Sequence, residues 1–388
     1  GIMIKAFECI IVGAGPSGLL QALSLCKNNI KNICIIELND KTYHKPCAGL
    51  LSLKTNKNFK KLGMDVEKDL NYYREQDVSV FNNGKYIFKT NIHTEDDFIF
   101  ASFKRPDRET LDDYLKEKVE SLGIKIFYNT KIEYVNIKNR ELFTSEGIFK
   151  CKTLIFADGT NGYSKIFNKV KSKNIAIEAI LKLDKKTEKF VQVYFGELDQ
   201  GYAWIGNTGS YVTIGFTAIY NKNKDYIKKL IEFGKEHGYS IKKEDVKGAF
   251  FPNGLNKNVV FDNIYIVGDA GGMTDPISAE GLYYASEMAI ILGESIKNNN
   301  LKMYLKGIKP HKKIIRRHRL FKNFFYSKFG RFIMFDVISK TFNNFVNIVF
   351  FSYGIRDKNR TVKDTYKGFM ECRKIIKQQE KNMNEVQR

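Results

Sequence analysis

The chain has 388 residues, 43% of them hydrophobic and 13% aromatic; that composition excludes a disordered chain, and the length asks for two closely joined units rather than one small core. The net charge is +21 and the sequence pI is near 9.4, which invites anionic partners, although lysine is spread along the whole chain and only one cluster near the C-terminus stands out. No apolar run approaches the ~18 residues of a membrane-spanning helix, the six cysteines (9, 26, 34, 47, 151 and 372) form no C-x-x-C pair, and the five histidines show no metal-ligand spacing.

The strongest signal lies between Phe7 and Leu38. Cys9-Ile10-Ile11-Val12 is a short apolar run of the kind a buried parallel strand makes. It ends in Gly13-Ala14-Gly15-Pro16-Ser17-Gly18, which fits G-x-G-x-x-G, and Leu19, Ala22, Leu23 and Leu25 follow at helical spacing. A second apolar run, Ile33-Cys34-Ile35-Ile36, stops at Glu37, 19 residues beyond Gly18. Strand, glycine turn, helix, strand and acid in that order predict a dinucleotide site. Gly13 permits the tight turn, Gly15 lets backbone approach a pyrophosphate, and Gly18 lets helix and strand pack closely. Pro16 and Ser17 open the helix, whose N-terminus supplies N–H groups for the phosphates. Glu37 is placed to accept hydrogen bonds from an adenosine ribose. No Lys-Ser/Thr follows the glycines, which argues against a mononucleotide P-loop.

After Glu37 the loop Asn39 to Leu53 contains Lys45-Pro46-Cys47-Ala48-Gly49-Leu50, whose small residues would let backbone N–H groups lie over a bound ring. Residues 54–75 read as helical or irregular. Val78 to Phe81, Tyr86 to Phe88 and Phe98 to Ala101 read as an antiparallel strand group. Leu111, Leu115, Val119 and Leu122 repeat at helical spacing up to Gly123, with Arg108 just before this helix, either to meet a phosphate or as a solvated charge. Ile124 to Tyr128 resumes the parallel sheet, 131–150 forms a small antiparallel meander, and Thr153 to Ala157 is a further parallel strand that runs into Asp158-Gly159. Residues 175–250 change character. Ile175 to Leu183, Lys189 to Phe195, Tyr202 to Ile205 and Tyr211 to Ala218 are strand-like, with one helix over Lys224 to Glu236. Ile264 to Val267 returns to the first unit and ends in Gly268-Asp269, and a helix opens after Pro276-Ile277-Ser278-Ala279-Glu280-Gly281 and runs from Leu282 through Leu292. From Lys297 the chain reads as helical. All but two of residues 311–319 (HKKIIRRHR) are basic or histidine, and Phe-rich segments follow, which fits either helices packed on the second unit or a surface that meets anionic lipid.

GAGPSG with Glu37, Arg108 followed by Leu111 and Asp112, Ala157-Asp158-Gly159, and Gly268-Asp269-Ala270 stand in an order that resembles the FAD-binding flavoproteins of the aromatic-hydroxylase fold. The resemblance covers roughly residues 7–165 and 260–295. It narrows at three places. The Lys45 to Leu50 stretch looks like the lysine-proline-cysteine-glycine loop of the geranylgeranyl reductase family, Tyr202-Ala203-Trp204-Ile205 is similar to that family's cavity-lining Tyr-x-Trp stretch, and Pro276 to Gly281 matches the loop that faces the flavin ring. The family usually has Gly where Ala48 stands, and Phe-Pro or Ile-Pro where this chain has Gly206-Asn207.

The fold expected is α/β: a Rossmann-like FAD-binding domain (1–75, 102–170 and 255–297) interrupted by a mixed or antiparallel-sheet substrate domain (76–101 and 171–254), with a helical C-terminal region (298–388). The resemblance implies FAD held by Gly13, Gly15, Pro16, Ser17, Gly18, Glu37, Lys45 to Leu50, Arg108, Asp158, Gly159, Gly268, Asp269, Pro276, Gly281 and Leu282. It implies Cys47, Tyr202 and Trp204 as candidate catalytic residues. The reaction expected is reduction of carbon–carbon double bonds in a hydrophobic, polyprenyl-type substrate. Monooxygenation or halogenation on the same fold, and a lipid-associated redox sensor without catalysis, are the alternatives. Electrons would come from transiently bound NAD(P)H or from an acidic carrier such as ferredoxin or flavodoxin, since no second nucleotide fingerprint is visible. A cytoplasmic location is expected, or a peripheral one at the inner face of an anionic membrane; nucleic acid is not an expected partner.

Overall fold

The computed structural model describes residues 3–46, 49–70, 72–75, 78–89, 99–101, 111–207, 209 and 211–339, with scattered helical positions between 370 and 386. In chain order the elements are β1 (Ile4–Val12), α1 (Pro16–Lys27), β2 (Ile33–Ile36), β3 (Leu50–Ser52), α2 (Leu53–Lys61), α3 (Val66–Asp69), β4 (Tyr73–Glu75), β5 (Val78–Asn82), β6 (Lys85–Lys89) and β7 (Ile99–Ala101). Then come α4 (Leu111–Ser121), β8 (Lys125–Phe127), β9 (Ile132–Asn136), β10 (Glu141–Thr144) and β11 (Gly147–Phe156). The middle of the chain supplies β12 (Lys173–Lys182), β13 (Phe190–Phe195), β14 (Tyr202–Asn207), β15 (Tyr211–Ile219), α5 (Tyr226–Glu236) and β16 (Lys247–Pro252). β17 (Val260–Phe261), β18 (Ile264–Ile266), α6 (Leu282–Lys297), α7 (Leu301–Tyr326) and α8 (Lys328–Arg331) complete it, followed by a π-helical turn, Phe332–Ile338.

The first sheet runs β17-β18-β11-β1-β2-β8, with β10 and β9 attached beside β11. β1 pairs in parallel with both β11 and β2, as Ile10 does with Leu154 and with Cys34. Its apolar run is continuous because both faces are covered. Cys9 and Ile11 pack toward α1, α4 and α6, while Ile10 and Val12 pack with Phe149, Leu154 and Phe156 on the other side. β11 is one long strand where the sequence suggested two. One edge lies parallel to β1 from Ile148 to Phe156, while the other pairs antiparallel with β10 in its first half and parallel with β18 in its second.

The second sheet runs β16-β12-β15-β14-β13-β5-β6 and is antiparallel except where β5 lies parallel to β13. α5 covers one face through Tyr226, Leu230 and Phe233. β16, a Gly- and Pro-bounded strand, adds an edge that the sequence did not disclose. The strands at 78–89 and 99–101 do not form one group: β5 and β6 join the second sheet, whereas β7 pairs with β3 and β4 in a separate three-stranded sheet.

Two helices fix how the halves meet. α6 packs on α1 so closely that a side chain at Gly293 would collide with Ser24. α7 starts in the first core, with Tyr304, Ile308 and Ile315 buried there. It ends on the second sheet, where the fully buried Lys322 donates to Asn174 Oδ1 at 2.7 Å and Asn253 Oδ1 at 2.6 Å. Among the described residues no helix is long and apolar enough to cross a membrane, and no group of three His, Cys, Asp or Glu is placed to hold a metal ion.

Candidate cofactor and substrate site

The site begins where β1 stops. Gly13 has φ +110°, and a Cβ there would collide with Ala157 O, so only glycine lets the chain turn against the end of β11. A Cβ at Gly18 would collide with Gly13 O, whereas Gly15 faces open space. α1 starts with Pro16 inside its first turn, has no side-chain cap at Gly15 and carries no acid in that turn. Its leading N–H groups and dipole are therefore available to an anion. Ser17 Oγ is buried beside them with no hydrogen-bond partner among the described residues.

Glu37 closes the turn from the side. Its Oε1 accepts from Ala14 N at 2.8 Å and its Oε2 from Asn39 N at 2.7 Å. Asp158, at the end of β11, accepts from Ser164 N at 2.9 Å and from Ser164 Oγ at 2.5 Å. Burial pushes its carboxyl up to about 6 against the pull of those bonds, with the Glu37 charge adding to the rise. Across the cavity, Gly268 (φ +63°) packs its Cα against Ser17, so the Gly-Asp turn sits on the start of α1. Asp269 accepts from Thr274 Oγ1 and from Lys45 Nζ, each at 2.5 Å. The Lys45 loop is thus tied to the opposite wall.

The loop from Asp275 to Gly281 forms the next wall and is held from several sides. The fully buried Asp275 accepts at Oδ1 from Ile277 N (2.9 Å) and Ser278 N (3.0 Å), and its Oδ2 bonds His318 Nδ1. Burial would push Asp275 upward, but the hydrogen bond and charge of His318, with those two N–H groups, hold its carboxyl below the usual range. Tyr202 donates its hydroxyl to Ser278 O at 2.6 Å, and Tyr326 donates to Ile277 O at 2.5 Å. Lys54 lies 3.2 Å from Glu280. Ala279 is left-handed at φ +63°, a conformation that costs a non-glycine residue about 1–2 kcal/mol. Backbone strain of this kind collects at functional loops.

Beyond this loop the lining turns apolar. Val193, Phe195, Trp204, Phe321, Phe325 and Met334 lie around it. Trp204 lies over Gly215, where any Cβ would collide with the indole, and its Nε1 meets no acceptor among the described residues. The ring therefore serves as an apolar plate.

One cavity of about 1210 Å³ joins these parts. It brings together Gly13, Gly15, Pro16, Ser17, Glu37, Lys45, Pro46, Gly49, Leu50, Asp158, Gly159, Gly268, Asp269, Gly281, Leu282, Tyr202 and Trp204 of the residues expected from sequence. Gly18 stands behind the turn, and Pro276 belongs to the loop without lining the cavity. Cys47, Ala48 and Arg108 lie outside the described residues. His318 was read in the sequence only as part of a basic run. The signal that singles it out is helical spacing: His318, Phe321 and Phe325 stand at i, i+3 and i+7, and all three line the cavity.

These features fit FAD. The uncapped α1 N-terminus and the glycine turn would take the pyrophosphate, Glu37 the ribose, and Asp269 a polar group on the flavin side. The volume exceeds the ~300–1,000 Å³ of a usual ligand pocket, and the cavity continues from the cofactor residues into the apolar lining of Val193, Phe195, Trp204, Phe321, Phe325 and Met334.

A family model described as an FAD binding domain matches residues 6–209, more than half of the chain. A digeranylgeranylglycerophospholipid reductase of Methanococcus aeolicus is 24% identical over 328 residues, covering 77% of this chain and 80% of that protein. Among solved structures, a geranylgeranyl bacteriochlorophyll reductase-like protein of Thermoplasma acidophilum superposes with a TM-score of 0.70 at 15% identity, over 95% of this chain and 100% of that one. The p-nitrophenol 4-monooxygenase of Pseudomonas putida superposes with a TM-score of 0.64 at 15% identity, over 96% and 98%.

Proposed function

We propose, starting from a chain that belongs to the FAD-binding domain family and stands among its geranylgeranyl reductase members as an FAD-dependent oxidoreductase, that its reaction is the saturation of carbon–carbon double bonds in an apolar, isoprenoid-type substrate. The observation that carries this reading is the continuity of the cofactor cradle with the apolar chamber of Val193, Phe195, Trp204, Phe321, Phe325 and Met334. The reductase named among the relatives supports it.

Reduced FAD supplies a hydride. The protein's part is to hold and orient. The α1 N-terminus and Glu37 fix the nucleotide end, and the strapped loop 275–281 gives the reacting end a rigid wall. The aromatic chamber excludes water from an alkene that no neighbouring group activates. The donor of electrons, in this reading, is transient NAD(P)H or an acidic carrier protein drawn to a chain of net charge +21. Access from a membrane surface is supported by exposed Leu320, Phe324, Phe329 and Phe332, next to exposed Lys309, Lys313, Arg316 and Arg317 on α7.

The test is anaerobic. Chemically pre-reduced protein, mixed with a digeranylgeranyl phospholipid in detergent, should yield a product heavier by two hydrogens for each bond reduced, measured by mass spectrometry. A product that forms only with oxygen would instead make the protein a monooxygenase.

A further inference from the structure

We infer that His318, held at Nδ1 by Asp275, is the acid that delivers the proton in the reduction proposed above; the inference rests on that reading of the site. Three phenol or imidazole groups meet the loop that walls the cavity, Tyr202 from β14 and Tyr326 and His318 from α7, while the Ser52 hydroxyl donates to Glu280 Oε1 at 3.2 Å. The two tyrosines donate their protons to carbonyl oxygens, Ser278 O and Ile277 O, at 2.6 and 2.5 Å. Burial raises Tyr326 well above the ordinary tyrosine range. Both are thereby committed to holding the loop. His318 differs. Its Nδ1 bonds a carboxylate that is fully buried, and its ring is part of the cavity wall, with 27% of the side chain accessible.

That pairing has a chemical consequence. A buried carboxylate at Nδ1 fixes the ring's orientation, so the proton that can be delivered into the cavity is the one on Nε2, and the acid form required carries a proton on each ring nitrogen. Delivery from Nε2 balances the reaction. The π bond of the alkene breaks, one carbon takes hydride from the two-electron-reduced flavin, which is oxidised, and its neighbour takes the His318 proton. His318 is left neutral and is reprotonated from solvent through its accessible edge. The charged and titratable groups around the pair are Asp275 and Tyr202 from the other elements, with Lys322, Tyr326 and Arg319 on α7 itself. Lys322 is spent on Asn174 and Asn253. No other acid–base pair of the described cavity combines a buried carboxylate with a histidine; Lys45 and Asp269 bridge the cofactor cradle instead.

The test separates the half-reactions. Wild type, His318→Gln and Asp275→Asn are loaded with FAD, reduced chemically without oxygen, and mixed with the digeranylgeranyl phospholipid while flavin absorbance is followed. H318Q should hold and reduce FAD as wild type does, yet its reoxidation by the lipid should slow about 10²–10⁴-fold, the usual worth of a positioned acid. D275N keeps a side-chain oxygen for Ile277 N and Ser278 N, so the loop stays in place, but it removes the charged partner that holds His318 Nδ1; its reoxidation should slow while FAD binding and chemical reduction stay as in wild type. Nitrogen-15 imidazole NMR of the wild-type holoprotein gives a readout that does not depend on turnover: His318 should carry both ring protons across the pH range where reoxidation is fast. Reoxidation of H318Q or of D275N at the wild-type rate, or a His318 ring neutral throughout that range, would each overturn the assignment and leave the reductase reading intact. Failure of the lipid to reoxidise wild-type flavin would overturn both. Should H318Q lose its FAD, the D275N rate and the NMR state decide.

Discussion

Glu37 ties two backbone segments together before any ligand arrives, one carboxylate oxygen on Ala14 N and the other on Asn39 N. Its place was legible because an acid at the end of the second strand follows from the spacing of a βαβ unit. Its grip on the glycine turn was not, since that depends on how β2 lies against β1. A hydrogen bond to a charged group contributes about 1.5–3 kcal/mol. Glu37→Ala should therefore weaken FAD binding about tenfold or more, read as the dissociation constant in a fluorescence titration of apoprotein; an unchanged constant would mean the turn holds its shape without the acid. His318 was hidden for a different reason. Charge dominated the reading of 311–319, and a run of Lys and Arg masks a helical stripe unless the positions are sorted by face. The strain at Ala279 could not be read at all, because a left-handed alanine is imposed by the bonds at the loop's ends, Asp275 N to Glu280 O and Ala279 N to Asp275 O, both 2.9 Å.

Elements whose strands are buried on both faces were found readily; elements defined by partners were not. β1, β2 and β18 announce themselves as apolar runs, whereas β16 and the short β3 and β4 exist through their neighbours; β7 was read as a strand but with the wrong partners. Helix packing carries its own prediction. Gly293 lets α6 sit on Ser24 of α1, the helix whose start forms the phosphate cradle. Gly293→Val should overpack this contact at a cost of about 1–3 kcal/mol, seen as a lower thermal midpoint together with weaker FAD retention on dialysis. α7 carries another. Burial lowers Lys322 to about 7, with Arg319 adding to the fall, below the ~10.4 of an unfolded lysine. Between those values the unfolded chain binds the extra proton, so stability rises with pH from about 7 to about 10 and the penalty is full below 7. Buried tyrosines such as Tyr304, whose proton burial retains, reverse the trend above about 10. Wild type should show a rise in thermal midpoint between about pH 7 and pH 9 that Lys322→Met flattens; an equal slope in both would place the lysine's titration elsewhere.

At the scale of the whole molecule, composition spoke to size and charge, and motifs spoke to the cofactor, but neither could say where charge and aromatic surface would meet. In the folded chain they meet on α7 and the turn after it. If substrate enters from lipid, as proposed, the protein should sediment with vesicles rich in anionic phospholipid and far less with neutral ones. Leu320→Asp combined with Phe324→Asp should reduce that binding, since each places a charge where an apolar side chain is exposed. Equal sedimentation with neutral vesicles would argue against the basic face.

The interleaving of the two large sheets has a consequence for how the chain comes into being. β5 and β6 are synthesised early, between strands and helices of the nucleotide half, yet Val78 and Val80 pair with Val191 and Val193, more than a hundred residues later. The first sheet waits in turn for β18, made only after the second sheet is complete. As the chain leaves the ribosome, neither half can close on its own, and each holds an unpaired strand edge until the other has been made. Folding should then be slow and dominated by distant contacts. Fragments cut at any single point between β6 and β18 should be recovered as aggregates, whereas the two pieces produced together have the strands needed to complete both sheets.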